Sequence, residues 1–556
     1  MQAILWSVLL ILVSYLSSFI YFRLDLTGDK RFTLFRGTRE MLDSLSETIF
    51  VTVYLDGDMP LGFKRMRRDI RELLDEFRVA SHRSIDYEFV NPSAYEDPEL
   101  RNEVQADLVR QGLVPTDVYE RRRDGGTNQR RLFPGAVLRY RNRSTALNLL
   151  MNNPGFSAEQ NLSHSIEVLE YGFANAIRLL TTDKVGQVAF IEGHGELDAY
   201  QTADITAELA RYYEVYRGFI DVDRPNLDPY AAVIIAGPRS RFSEKEKFVL
   251  DQYLMNGGKI LWLLDMVEVY HDSLSAGETT LALLRDLNID DQLFRYGVRI
   301  QPALARDIQC ALIPVNTALA GEQPRFTPAP WYYFPLLAPR SDHPVTRNLN
   351  MVKAQYAGVI DTLASPMVKK TTLLGTSQYT KVVNAPVVIS VRQVDEAPVQ
   401  AEYNRSFLPV AVLLEGTFTS VFRNRMTGNY ALPEGKVFRE QSVPTAMIVV
   451  SDADIIRNDL RWKATVPEPL PLGYDRYMQQ TFGNKDFIMN AVNYLTDDTG
   501  LMQLRTREFK LRLLNKAQVT RQHTLWQVIN TLLPILIISL AGIITMVVKK
   551  MKYTKV

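Results

Sequence analysis

Cysteine is nearly missing from this chain: its 556 residues contain one, Cys310. A single thiol excludes an internal disulfide, a cysteine-based zinc site and a CxxC redox centre, and leaves cysteine usage silent on the compartment. Net charge is nearly missing too. Lys plus Arg total 64 against 63 Asp plus Glu, a balance of +1, which removes the global positive field that marks a nucleic-acid binder. No stretch matches GxxxxGK[ST], so any ATP hydrolysis that drives the protein belongs to another polypeptide. Heptads, repeats at solenoid periods and low-complexity tracts are absent from the middle, which therefore reads as folded material rather than linker. At roughly 100–200 residues per domain, the length predicts two to four domains.

Long uncharged runs are present, and they lie at the ends. Residues 4–22 and 525–548 carry no charge, and each is long enough to cross a bilayer core of roughly 30 Å as a helix. The first lacks the basic n-region and small-x-small site of a cleaved signal peptide, so it reads as an uncleaved anchor. The second begins at Trp526 and ends in Lys549, Lys550, Lys552 and Lys555, flanks that hold a helix at the headgroups, with Pro534 as a kink point. Basic residues border both spans on the inner side of the sequence, so literal positive-inside counting puts the middle in the cytoplasm. Domains of this length, however, are translocated largely regardless of charge. Two spans put both termini on one side.

Between them, two α/β units are expected. Residues 48–55 form a strand, Asp56-Gly57-Asp58-Met59-Pro60 a turn, and 62–80 a helix whose Phe63, Met66, Ile70, Leu73, Leu74 and Phe77 recur at steps of three and four. A strand at 85–90, a helix at 99–111, strands at 132–140 and 144–150 and a helix at 163–180 complete the order βαβ, α, ββα of a thioredoxin-like layer. A redox member would carry cysteines where Asp56-Gly57-Asp58 stands, so this unit reads as a docking scaffold. The arginines around Asp124-Gly125-Gly126 mark a solvated hairpin, with an anionic partner or lipid headgroup as the alternative. The second unit opens with a strand at 186–191. A near-continuous apolar strand at 231–236, a capping box of Ser243 with Glu246, a helix stripe of Val249, Leu250, Tyr253 and Leu254, the stop Gly257-Gly258 and a strand at 259–264 make a βαβ crossover. Apolar residues 445–450 and a helix at 485–495 are expected to resume the same sheet after an excursion.

The first strand of that unit runs into Glu192-Gly193-His194-Gly195-Glu196, at the carboxyl end of an α/β strand where ligands bind in open sheets. Two carboxylates and an imidazole can ligate a metal or move protons, and the glycines let backbone approach a ligand. The competing reading is a polar turn whose His and Glu bond neighbouring loops. With no second His/Asp cluster at ligand spacing, no metal, cofactor or catalytic residue is assigned. Asp265-Met266 occupies the end of the next strand, where some hydrolases and amidotransferases place a nucleophile. Cys310 sits in an apolar context and reads as a small core residue. Trp331, Tyr332, Tyr333 and Phe334 read by default as a core strand, with an aromatic ligand platform or protein contact as the alternative.

Several further patterns run the length of the chain: Arg23-Leu24-Asp25-Leu26-Thr27 with Asp29-Lys30-Arg31-Phe32-Thr33-Leu34, and Val53-Tyr54-Leu55-Asp56-Gly57 followed by Pro60 and Asn91-Pro92. To these add Ser165-Ile166-Glu167 through Leu169-Glu170-Tyr171, Phe190-Ile191-Glu192-Gly193-His194-Gly195-Glu196, and Trp526 through Asn530 to Pro534. On these residues the chain resembles the gliding-motility-associated ABC transporter auxiliary family (GldG-like) of Bacteroidetes, over nearly its full length. It departs from that family in lacking basic residues before the first span. The middle also looks like a domain that this family shares with some intraflagellar transport proteins.

The resemblance implies a non-catalytic subunit of the inner membrane, two-pass, with its bulk in the periplasm. It would stand beside a separate ABC permease and a separate ATPase, in gliding motility or an associated secretion process. The lipid bilayer and other gliding or secretion proteins would be its further partners, and nucleic acid would not. The rival expectation is a membrane-tethered periplasmic enzyme or solute-binding protein using Glu192 to Glu196. The expected fold is α/β: two terminal transmembrane helices flanking a thioredoxin-like domain without CxxC and a larger flavodoxin- or amidotransferase-like domain. The division reads 1–24 span, 25–45 juxtamembrane, 46–182 thioredoxin-like and 183–500 auxiliary α/β with an insertion at about 265–442. A basic membrane-proximal segment (501–524), a second span (525–548) and a basic tail (549–556) follow.

Overall fold

The computed structural model describes residues 33–553 apart from 122–126, 152–155, 183, 185, 317, 319–322, 324, 427, 429, 434, 464–465, 498–499 and 507–515. The first expected span, residues 25–32 behind it and the hairpin tip Asp124-Gly125-Gly126 lie outside the described residues, as do parts of the 501–524 segment and of the tail. The chain divides into two units, Met1–Arg507 and Glu508–Val556.

The larger unit is mixed α/β and holds two principal sheets. In the first, β1 (Ile49–Val53) pairs parallel with β2 (Ile85–Phe89). A hairpin of β3 (Thr116–Arg121) and β4 (Thr127–Leu132) comes next in the chain and stands as a separate two-stranded sheet. After it, β5 (Gly135–Tyr140) pairs antiparallel with both β1 and β6 (Arg143–Asn148), giving the order β2-β1-β5-β6. The helix Leu61–Ala80 buries Phe63, Met66, Ile70, Leu74 and Phe77, the stripe that the three-and-four spacing predicts, while Leu73 stays at its margin. Phe77 meets Phe173 edge to face at 6.3 Å, joining this helix to Leu169–Thr181.

Two predicted elements are divided. The helix expected at 163–180 is two helices, Ala158–Glu167 and Leu169–Thr181, which meet at Val168. Its true start is set upstream by Ser157 and Gln160, whose side chains exchange both bonds of a capping box. The strand expected at 132–140 breaks between Leu132 and Gly135, where Pro134 has no N–H to give a ladder.

The second sheet has ten strands. Five are parallel neighbours in the order β8 (Glu214–Phe219), β7 (Gln187–Glu192), β9 (Tyr230–Ala236), β10 (Ile260–Leu263) and the strand Thr445–Val450. Side-chain alternation dictates the layers. Leu261, Leu263, Ile448 and Val450 face one core with Ile205, Leu209, Phe487 and Ile488 of the helices Ala203–Leu209 and Asn484–Thr496. Ile260, Trp262, Met447 and Val449 face the other with Val249, Leu250 and Leu254 of the helix Glu244–Met255. Covering both faces is what makes these strands near-continuous apolar runs. Beyond Thr445–Val450 the sheet turns antiparallel through Pro409–Gly416, Val368–Gly375, Phe326–Pro339 and Cys310–Asn316. The stretch read from sequence as an insertion therefore supplies the far half of the sheet.

The smaller unit contains the helix Lys516–Tyr553, with Pro534 inside it. Its segment Arg521–Met551, 31 residues, is the one helix among the described residues that is long and apolar enough to cross a membrane.

Candidate functional site

Strand β7 ends in Glu192, and Gly193 turns the chain with φ +123°, a conformation that side chains rarely adopt. An added Cβ there would also lie 3.1 Å from Phe219 Cδ1. The turn folds His194 inward, to 4% exposure. Its Nδ1 lies 3.2 Å from Glu196 Oε1, its Nε2 lies 3.3 Å from Glu246 Oε1, and its backbone N–H donates to Glu196 Oε2 at 2.7 Å. The ring stacks on Phe242 at 3.8 Å. The His194 carbonyl accepts the N–H groups of Arg239 and Ser240 at 2.6 and 2.9 Å. Burial works to lower the imidazole pKa, but Glu196 and then Glu246, by hydrogen bond and charge, bring it above the ordinary value. The imidazole is thus held between two carboxylates that favour its protonated form.

Glu192 is committed as well, accepting from Arg217 Nε at 2.6 Å. The same guanidinium donates to Thr202 Oγ1 at 2.9 Å and to the Leu197 carbonyl at 2.7 Å. Glu246 carries out two tasks, because it closes the capping box with Ser243 at the start of Glu244–Met255 and meets His194. Sequence reasoning finds the Glu192 to Glu196 loop and the capping box separately. Their meeting is a tertiary fact, since β9 stands between them in the chain. Among the described residues, no group of three or more His, Cys, Asp or Glu side chains is arranged to hold a metal ion.

Trp331, Tyr332, Tyr333 and Phe334 lie on Phe326–Pro339 and are all buried, Trp331 and Tyr333 to 1% exposure. Phe334 packs edge to face on Tyr356 at 5.3 Å, and Arg306 lies over the Tyr333 ring at 5.1 Å. Burial, with the Asp307 charge second, pushes the Cys310 thiol up to about 12. It is a protonated thiol at neutral pH.

A second polar cluster escapes sequence reasoning. Asp265 follows β10, and Asp452 and Asp454 follow the adjacent parallel strand Thr445–Val450. Asp265 accepts the Ala453 N–H at 2.9 Å, Asp452 accepts the Gln355 N–H at 2.6 Å, and Asp454 pairs with Arg457 at 2.8 Å. Burial first, then the Asp454 charge, raises Asp265 to about 6 and lifts Asp452 well above the carboxylate range. Sequence reasoning notes Asp265 at a strand end, but Asp452 and Asp454, two aspartates at alternate positions behind an apolar strand, read as an ordinary turn, and nothing in the sequence joins them to Asp265.

The family model described as an ABC-type uncharacterized transport system matches residues 186–491, more than half of the 556 residues and all of the ten-stranded sheet. The chain belongs to this family. Membership points to an accessory role beside ABC transporter components and, with the apolar helix Arg521–Met551, to association with a membrane. A second model, a domain of unknown function (DUF7088), matches residues 28–139, which include β1 to β4. No match is found among curated proteins. Among solved structures, one titled mmIFT52 N-terminal domain is similar at 15% identity with a TM-score of 0.30, over 56% of this chain and 98% of that one.

Proposed function

We propose that the protein is a non-catalytic, membrane-anchored auxiliary subunit of an ABC-type complex serving gliding motility or an associated secretion process, of the GldG-like kind found in Bacteroidetes. Its bulk lies in the periplasm between two spans, and a separate permease and a separate ATPase are its partners. Its four-stranded sheet is a thioredoxin-like layer turned to docking, a reading supported by the order β2-β1-β5-β6 with its parallel and antiparallel senses, and by Asp56-Gly57-Asp58 behind β1. The observation that carries the non-catalytic reading is the closure of the Glu192 to Glu196 loop. Its imidazole and both of its carboxylates are bonded to one another, to Arg217 and to Glu246, and the imidazole is buried away from solvent. A general base or metal ligand needs a face turned to a reactant.

Glu192→Gln and His194→Gln test this in a gliding host. Each variant, normalised to the amount of folded protein in the membrane, is expected to support gliding at the wild-type level. A folded variant present at wild-type abundance that abolishes gliding, or stoichiometric metal in the purified protein that His194→Gln removes, would favour the periplasmic enzyme or solute-binding reading instead.

A further inference from the structure

A cleft of about 400 Å³ opens at the carboxyl ends of β1 and β2, within the roughly 300–1,000 Å³ of small-ligand and peptide-anchor sites. Carboxyl ends of neighbouring parallel strands are where α/β sheets receive ligands. Its floor is apolar, from Leu55, Pro92, Leu132 and Phe133. Gly57, at φ +95°, lets the turn behind β1 lie against Asn91, whose Nδ2 is 2.4 Å from where a Cβ would stand.

The charges of the rim are almost all spent. Asp56 pairs with Arg67 at 3.0 Å, Asp58 with Arg130 at 2.6 Å, and Arg131 with Asp117 at 3.1 Å. Arg101 differs. Its guanidinium makes one long bond, 3.4 Å, to the Tyr95 carbonyl, and no carboxylate among the described residues pairs with it. Gln105, one helical turn further along Pro98–Arg110, stands on the same face of the cleft. One wall is Gln129 to Leu132 of β4, a strand whose only strand neighbour among the described residues is β3, so its other edge is open.

We propose that this cleft docks an extended acidic peptide segment of a partner protein, which adds its backbone to the open edge of β4 and places a carboxylate on Arg101. Strand addition supplies backbone hydrogen bonds along a wall of consecutive residues, a shape that a compact anion does not need. The planar guanidinium supplies bidentate capture of a carboxylate. The inference goes beyond the transporter reading and does not rest on it.

The test uses the full chain in mild detergent and fluorescence anisotropy with a labelled, capped peptide Glu-Val-Glu-Val-Glu. Its Lys-for-Glu twin and free glutarate are the comparisons. The acidic peptide is expected to bind, the basic twin to bind at least roughly tenfold more weakly, and Arg101→Ala to weaken the acidic peptide by roughly tenfold or more. Arg101→Lys should recover part of that loss. A photo-crosslinker on the peptide should label residues 129–133, which keeps the proposal testable if Arg101→Ala misfolds. Several results would overturn it: no binding of the acidic peptide, an unchanged affinity in folded Arg101→Ala, crosslinks elsewhere, or equal displacement by glutarate. Arg101-dependent binding of phosphatidylglycerol vesicles with no peptide binding would assign the cleft to a lipid headgroup and overturn it too.

Discussion

His194 lies almost out of water, and the two carboxylates at 3.2 and 3.3 Å favour its charged form against the cost of burial. Because its folded pKa is raised, its contribution is complete below the unfolded value of about 6.5 and is lost as pH rises through the folded value. Asp265 acts in the same direction on the acid side. Its folded pKa of about 6 lies above the ordinary 3.8, so the fold favours its neutral form, and that contribution disappears as pH rises through 6. Thermal melting from pH 4 to 8.5 should therefore show both groups, together with Asp452, subtracting stability as pH rises. Asp265→Asn should flatten the step between about 4 and 6 and His194→Gln the one above about 6.5, with His194→Gln costing about 2–3 kcal/mol at pH 6. Variants whose pH profiles run parallel to the wild type would contradict the assignment. The loop was legible at this scale because an apolar strand running into Gly-His-Gly is conspicuous. Its partners Arg217 and Glu246 were not, since contacts between distant loops leave no spacing to read.

At the scale of elements, the clearest reading was the crossover from β9 through Glu244–Met255 to β10, where a capping box, an apolar stripe and a glycine stop agree. Gly257 ends that helix at φ +98°, as its position suggests. The stripe understates the burial, because Lys247, Asp251 and Gln252 on the other side are buried too. Asp251 accepts from Ser420 Oγ at 2.7 Å and Tyr296 Oη at 2.8 Å, contacts supplied by chain far away in sequence. Ser243→Ala is expected to cost ~1 kcal/mol as a lost cap. The Ser243 backbone N–H, which donates to Glu246 Oε2 at 2.8 Å, survives the substitution, so the His194 pH step should stay in place. Calorimetry of Ser243→Ala across pH checks both, and an unchanged melting temperature or a displaced step would contradict them. β8 went unread because its exposed edge alternates polar and aromatic residues, with Tyr216 and Phe219 in solvent. The strand Phe326–Pro339 was legible only as a core stretch around Trp331 to Phe334; its full length and antiparallel pairing were not, because Pro328, Pro330 and Pro335 punctuate it like a loop.

For the molecule as a whole, the sequence displayed the apolar C-terminal segment plainly, since length without charge needs no tertiary knowledge. The return of Thr445–Val450 to the larger sheet was legible too, and it pairs with β10 almost two hundred residues earlier in the chain. Hidden was the antiparallel half supplied by the stretch between them, because hydrophobic patterning gives strands without telling which one is next to which. On the proposed reading of a non-catalytic auxiliary subunit, the protein acts through what it touches, so its partners define it. The most direct measurement is extraction of the affinity-tagged full chain from its native membrane in mild detergent, followed by mass spectrometry of what comes with it. Co-isolation of an ABC permease and a nucleotide-binding ATPase in fixed ratio, lost when Arg521–Met551 is replaced by an unrelated span, is the predicted result. Recovery of the folded chain alone, under conditions that preserve other membrane complexes from the same cells, would contradict it.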